Sequence, residues 1–330
     1  MQIYCPTQLD DVSAARFIND IWRAKNEEIL VLNFSNLRFV YPSGVLISAL
    51  GIREIINRRF KNKFNTQAAG VGRGTGAISY LGYFGFFRFI GVDVGNGLNE
   101  TTGGRSFLPI TEITKDEFKD QDVYIQEQIT KRSYDLASLI YPRKSDITKV
   151  DMLAFCLREV VRNVFEHAEI DSCYVMAQRW SNGYAEIAIA DEGIGIPTSL
   201  SKTHTVINPR SAIRLAMKPG ITVNTEEPDK NKWQNSGFGL YVLSEVGSAC
   251  GSFTLLSEGN MLVRDNGVDT WVPTPVNGTI VKLRANTVDS DYFPNILKAI
   301  VAKGEVEAKE IPGAIQTASK GSKVIDPIRW

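Results

Sequence analysis

Phe155-Cys-Leu-Arg-Glu-Val-Val-Arg-Asn-Val-Phe-Glu-His167 is the stretch whose reading decides the fold. Phe155, Val160, Val164 and Phe165 recur at helical spacing, while Glu159, Asn163 and His167 stand four apart on one face. A carboxylate, an amide and an imidazole in that line are able to surround one small hydrated ion or one water. Alone, the triplet reads first as the polar stripe of an amphipathic helix. Two later segments change its weight: Asp191-Glu-Gly-Ile-Gly195 and Ser236-Gly-Phe-Gly-Leu240, each at a seam between structural elements.

In that order the three segments resemble the N, G1 and G2 boxes of the GHKL (Bergerat-fold) ATP-binding family. That family includes gyrase-type topoisomerases, heat-shock chaperones, sensor histidine kinases and anti-sigma-factor serine kinases. The resemblance covers residues 146–286 and implies an α/β sandwich, helices on one face of a mixed sheet, with a long ATP lid. The cofactors it implies are ATP and magnesium. Magnesium prefers oxygen ligands and retains several waters, so the Asn163 amide oxygen suffices as its protein ligand. Glu159, one turn earlier, is implied as the general base; the ATPases and serine kinases carry an acid there, and most sensor histidine kinases do not. Asp191 is implied to accept from the adenine exocyclic amine, at a turn that Gly193 and Gly195 permit. Gly237, Phe238, Gly239 and Leu240 form the phosphate side, where glycine N–H groups approach closely because no Cβ obstructs. Thr279, after Gly278, matches the small signal near the adenine. His167 is expected to support or pack, and Arg162 and Glu166 to form a solvated pair.

Residues 1–110 read as a separate α/β unit. Val12–Ala24 is helical in period, with Asp10 or Asp11 as N-cap. Glu28–Phe34 is a near-continuous apolar run, as in a strand buried on both faces. Ser43-Gly44, with Pro42 before it, opens a helix to about Arg59. Val31 to Leu46 resembles the core of STAS domains, the fold of anti-sigma-factor antagonists. Where that family carries Asp and a phosphorylatable Ser, this chain has Tyr41 and Pro42, and only Ser43-Gly44 matches. Ser43 therefore reads as a helix N-terminal residue and not as a phospho-switch. Gly70–Gly76 lacks the Lys-Ser or Lys-Thr of a Walker loop and reads as a plain loop. The aromatic helix from Ala77 to Phe87 reads as core or, less simply, as a partner-binding face. Arg105–Ile110 looks like a short strand leaving this first unit.

Residues 111–145 read as a connecting helix, with an apolar stripe able to pair two protomers. Asp146 or Thr148 caps the helix that carries Asn163. Strands follow at 172–180 and 184–191 about a Ser-Asn-Gly turn, then at 252–257, 261–264 and 279–283. Between Pro197 and Asn235 a loop with six Lys/Arg against three Asp/Glu has the length of a lid. Lys218 or Lys232 is its candidate to meet a γ-phosphate. Residues 287–330 read as a small helix and a loose tail.

Lys plus Arg and Asp plus Glu both total 37, so the overall balance calls for no nucleic acid. Cys5, Cys156, Cys173 and Cys250 are too scattered for a zinc site and read as reduced thiols. No basic n-region opens the chain and no apolar run is long enough to span a bilayer, so a cytoplasmic location is expected. With histidines only at 167 and 204, a sensor histidine kinase is disfavoured. The expected function is magnesium-dependent ATP binding and hydrolysis, the nucleotide state gating a regulatory contact with a protein partner. Two alternatives are a serine/threonine kinase of the anti-sigma-factor type and a scaffold that holds ATP without turnover. The family often dimerises, although no heptad seam supports a homodimer here.

Overall fold

The computed structural model describes residues 1–72, 76–101, 103–104, 106–120, 123–142, 147–223, 236–287, 293–319 and 323. The architecture is mixed α/β. The chain begins β1 (Gln2–Tyr4), β2 (Gln8–Leu9), α1 (Asp11–Arg23), β3 (Ile29–Asn33), β4 (Phe39–Val40), α2 (Pro42–Lys61) and β5 (Asn65–Ala69). Short helices α3 (Ala77–Tyr83) and α4 (Phe86–Phe89) lead to β6 (Phe107–Thr114), α5 (Ile125–Ile140), α6 (Ile147–His167), β7 (Ser172–Arg179) and β8 (Tyr184–Asp191). After α7 (Ile196–Leu200) and α8 (Pro209–Ala216) come α9 (Gly239–Cys250), β9 (Gly251–Ser257), β10 (Asn260–Asp265), β11 (Val268–Pro273), β12 (Thr279–Asn286) and α10 (Phe293–Ala308).

Two sheets organise these elements. One is parallel, β1-β3-β5; the other has seven strands in the order β11-β10-β9-β12-β8-β7-β6. Every pairing in the large sheet is antiparallel, not mixed as the family resemblance implied. Its central strands β7, β8 and β12 alternate between two cores. Ala185, Ile187, Ile189, Val281 and Leu283 face a helical layer of α5, α6, α9 and α10. Ala188, Ala190, Ile280, Tyr174 and Met176 face the N-terminal layer. Period-two patterning against two apolar layers explains why both faces of β8 and β12 are hydrophobic.

The N-terminal layer is seated on the sheet by α2, which packs on β7, β8 and β12 and, on its other flank, on α1 and β5. From Pro42 to Ile52 every residue of α2 is buried, as expected of a helix enclosed all round. Small side chains make that possible. A Cβ on Gly44 would stand 2.1 Å from the Leu9 carbonyl oxygen, and one on Gly51 would stand 2.8 Å from Ile18 Cγ2. Polar contacts cross this interface as well. Ser43 donates to Glu186 Oε1 through its N–H (3.0 Å) and its hydroxyl (2.8 Å), and Lys282 Nζ meets Asp11 Oδ2 at 3.0 Å. Buried polar groups demand such partners. Arg59, 1% exposed, donates to the carbonyls of Lys25 and Asn65 (2.7 and 2.6 Å) and so ties the end of α1 to the start of β5.

Several expectations change here. β3 is buried on one face only: Leu30 and Leu32 are enclosed but Ile29 is 50% exposed, because no described element encloses the outer face of the small sheet there. The aromatic helix is two helices, broken by Gly85 in the left-handed region (φ 85°), and Phe84, Phe86 and Phe87 are core. The strand expected to leave the first unit, β6, pairs with β7 as an edge of the large sheet. The apolar stripe of α5 (Ile129, Leu136, Ala137, Ile140) packs within the helical core against α6. Arg162 and Glu166 form no solvated pair; their side chains are 6% and 1% exposed. Of the two suggested caps for α6, Thr148 lies inside the helix and Asp146 lies outside the described residues.

Candidate functional site

A cleft enclosing about 760 Å³, its open mouth included, lies between α6, the ends of β8 and β12, the α7–α8 region and the start of α9. Asn163, His167, Asp191, Gly195, Gly237, Gly239, Leu240 and Thr279 all line it. Segments more than a hundred residues apart in sequence therefore meet at one surface. The remaining wall is apolar: Val160, Ile196, Leu200, Ile221 and Val281 among others.

Asp191 ends β8 on the helical side of the sheet, directly across from Thr279 in the antiparallel register. It is 2% exposed, and burial pushes its carboxyl up to about 7. The Gly193 N–H (2.8 Å) and the Thr279 N–H oppose that shift, and the nearby Glu192 charge adds to it. Gly193 is consequently not a wall of the cleft but the donor that holds Asp191, and it is pressed on Ala168, where a Cβ would stand 2.3 Å from the carbonyl oxygen. Gly278 (φ 77°) is pressed as closely on the Asp191 carbonyl, where a Cβ would sit at 2.0 Å. A side chain at either glycine would displace the carboxylate.

Asn163 and His167 present their side chains at the opposite wall, one turn apart on α6. Burial, with the charges of Arg162 and Lys202, holds the His167 imidazole down to about 4, so it is neutral at neutral pH. Glu159 departs from the expected stripe. Its side chain is 0% exposed and outside the cleft lining, gripped by Arg162 Nη2 (2.7 Å) and Arg158 Nη2 (3.1 Å). It lies behind Gly239, where a Cβ would come within 2.5 Å of Glu159 Oε2. Phe238, expected among the binding residues, is instead 0% exposed and packed on Tyr241 in the helical core.

The lid candidates are engaged elsewhere. Lys218 lines a second groove with Arg210, Arg214 and Trp271, and both arginines stack on the Trp271 ring at 5.3 and 5.5 Å. Lys202 pairs with Glu169. Lys230 and Lys232 lie outside the described residues. The two roots of this region are joined, Gly220 N–H to the Gly237 carbonyl at 3.2 Å, and a C-terminal segment binds both. Ile315 N–H donates to the Gly220 carbonyl (2.9 Å) and Ser319 N–H to Ser236 Oγ (2.9 Å).

Sequence reasoning missed Ser257 and Glu258, which accept from the N–H groups of Ile196 and Thr198 (2.9 and 2.7 Å) and fix α7 against the cleft. It also missed β11, although Asp265-Asn-Gly267, with positive φ at Asn266 and Gly267, is a hairpin signal. Among the described residues no three His, Cys, Asp or Glu side chains gather as a metal cluster, and no helix is long and apolar enough to cross a membrane. No protein-family model matches the chain, and no curated protein or solved structure gives a significant match.

Proposed function

We propose that the cleft binds ATP with magnesium, and that the nucleotide state of the site gates a regulatory contact with a protein partner. The observation that carries this reading is the meeting of Asn163, Asp191, Gly237, Gly239 and Thr279 on one cleft. In chemical terms the residues fit the group. A desolvated carboxylate at the closed end suits an exocyclic amine, which adenine offers and guanine lacks at that edge. The start of α9, with glycines at 237 and 239, offers N–H groups and a positive helix end to phosphates. The Asn163 amide supplies a neutral oxygen for magnesium, which would neutralise phosphate charge. On this reading the fold is a Bergerat-type sandwich bearing a STAS-like layer on its back.

Hydrolysis needs a base, and α6 places two acids one turn from Asn163, Glu159 before it and Glu166 after it, neither of them in the cleft lining; the family resemblance points to Glu159. Two guanidiniums grip it, which favours a second reading: ATP held without turnover. The kinase reading with Ser43 as its substrate is weakened, because that hydroxyl is 1% exposed and donates to Glu186. The test is equilibrium ATP binding and steady-state phosphate release with magnesium, for wild type and Glu159→Gln. Binding by both with release by wild type alone supports hydrolysis through Glu159. Binding by both with release by neither supports the holding reading. No ATP binding by the wild type refutes the proposal.

A further inference from the structure

The N-terminal layer touches the cleft from behind, at two points, through adjacent residues of α2. Arg53 Nη2 lies 2.5 Å from Glu192 Oε2, and its guanidinium rests over the Phe89 ring at 4.6 Å. Glu54 accepts from Asn277 Nδ2 at 2.7 Å and from the Asn277 N–H at 3.4 Å. Glu192 is the residue after Asp191. Asn277 precedes Gly278 and Thr279, and Gly278 is pressed on the Asp191 carbonyl. Each loop that fixes the closed end of the cleft thus carries one polar tie to a single turn of α2.

The simplest account is one surface ion pair and one surface carboxylate–amide hydrogen bond. The Arg53 and Glu192 side chains are 33% and 31% exposed, and such pairs stabilise a fold by roughly 0–1 kcal/mol. Their placement carries more than that. Asp191 and Thr279 depend on each other for hydrogen bonding, so a small shift of either loop changes the spacing of carboxylate and hydroxyl. The helix holding both ties is itself enclosed from Pro42 to Ile52 and seated by the Ser43–Glu186 contacts, so it is a rigid reference. Ligand sites are set within fractions of an ångström by the residues behind them.

We propose that Arg53 and Glu54 are positioning residues for the adenine end of the cleft, holding the Glu192 and Asn277 loops so that Asp191 and Thr279 address the base. This rests on the nucleotide reading above. By linkage, a nucleotide that fixes those loops also tightens α2 against them, so the back layer senses whether the cleft is filled.

The experiment uses the full chain: wild type, Arg53→Ala, Glu54→Ala, and the swap Arg53→Glu with Glu192→Arg. Adenosine, ADP and ATP affinities are measured alongside thermal unfolding without ligand. We expect each alanine variant to lose roughly tenfold in affinity. The factor should be the same for all three ligands, because the loops meet the base and not the phosphates. Unfolding temperatures should barely move, and the swap should recover most of the affinity. In wild-type protein, ADP should slow amide exchange at residues 53–58. A loss that grows with phosphate number, or one that tracks a fall in unfolding temperature and is not recovered by the swap, overturns the positioning role. So does wild-type affinity in both alanine variants. Absence of binding by the wild type overturns the nucleotide reading first, and this inference with it.

Discussion

Glu186 and Asp191 lie five residues apart on β8, each 2% exposed, and face opposite sides of the same sheet. Burial raises the affinity of both for a proton. Their surroundings then diverge. Glu186 faces the N-terminal layer, where the Ser43 N–H and hydroxyl bind it, the Lys282 ammonium favours its charge and Asp11 opposes it. It is a fastener. Asp191 faces the cleft with two backbone N–H donors and no cation among the causes of its shift, so its charge is poorly compensated. A buried carboxylate that is answered locks two layers; one left under-answered at the end of a cavity is available to a ligand.

The comparison breaks most visibly at the fastener. Glu186→Ala leaves the first N–H of α2 and the Ser43 hydroxyl without an acceptor and Lys282 with one carboxylate fewer. A loss of roughly 3–5 kcal/mol is expected. Urea unfolding measures it, and Glu186→Gln, whose amide oxygen still accepts from Ser43, should lose less. A midpoint within error of wild type for Glu186→Ala would mean that the back-face network does not hold the layers.

Asp191→Asn should do the opposite: keep the fold and lose ATP affinity by about a hundredfold, since an amide is a weaker acceptor and offers an amine donor an N–H in competition. Isothermal calorimetry reads the affinity. If the variant binds ATP as the wild type does, Asp191 is not the base contact.

A further effect is a pH signature in stability. The folded carboxyl of Asp191 is raised to about 7 from 3.8. The native state therefore keeps a proton that the unfolded state gives up as pH rises from about 4 to about 7. The stability contributed by the protonated form is fully present below pH 4 and is lost as pH climbs through about 7. Unfolding free energies of wild type minus Asp191→Asn should fall across that interval and level off above it. A difference that is flat with pH would place the carboxylate in a better-solvated setting than its 2% exposure implies.

Much of this was legible in the sequence. The spacing of Phe155, Val160 and Val164 gave α6, and Ser181-Asn-Gly183 marked the turn between β7 and β8, whose Gly183 has φ 87°. Those are local signals. What escaped was tertiary. Nothing in the period of Glu159 shows that Arg158 and Arg162 would close on it, because neighbouring residues on a helix share partners that only packing selects. The residues of α2 read simply as a helix opened by Ser43-Gly44, because its second partner, the sheet made by β7, β8 and β12, lies far along the chain. Ser257 reads only as the end of the strand at 252–257, and no local pattern shows that it and Glu258 accept from the α7 N–H groups.

The seating of α2 between two sheets also bears on how the molecule is made. The surface that α2 presents to the large sheet is synthesised by Lys61, whereas the last strand that covers it, β12, ends at Asn286. At about 5–20 residues per second a ribosome takes roughly ten to forty-five seconds over that interval. Until Asp191 is made, more than halfway through, Leu46, Leu50 and their neighbours on the nascent chain have no complete β7–β8 pair to meet, and β12 is missing to the end of the interval. The first hundred residues are thus ordered early only in part, and their completion is a late event of translation, set by the strands that bear Glu186 and Lys282.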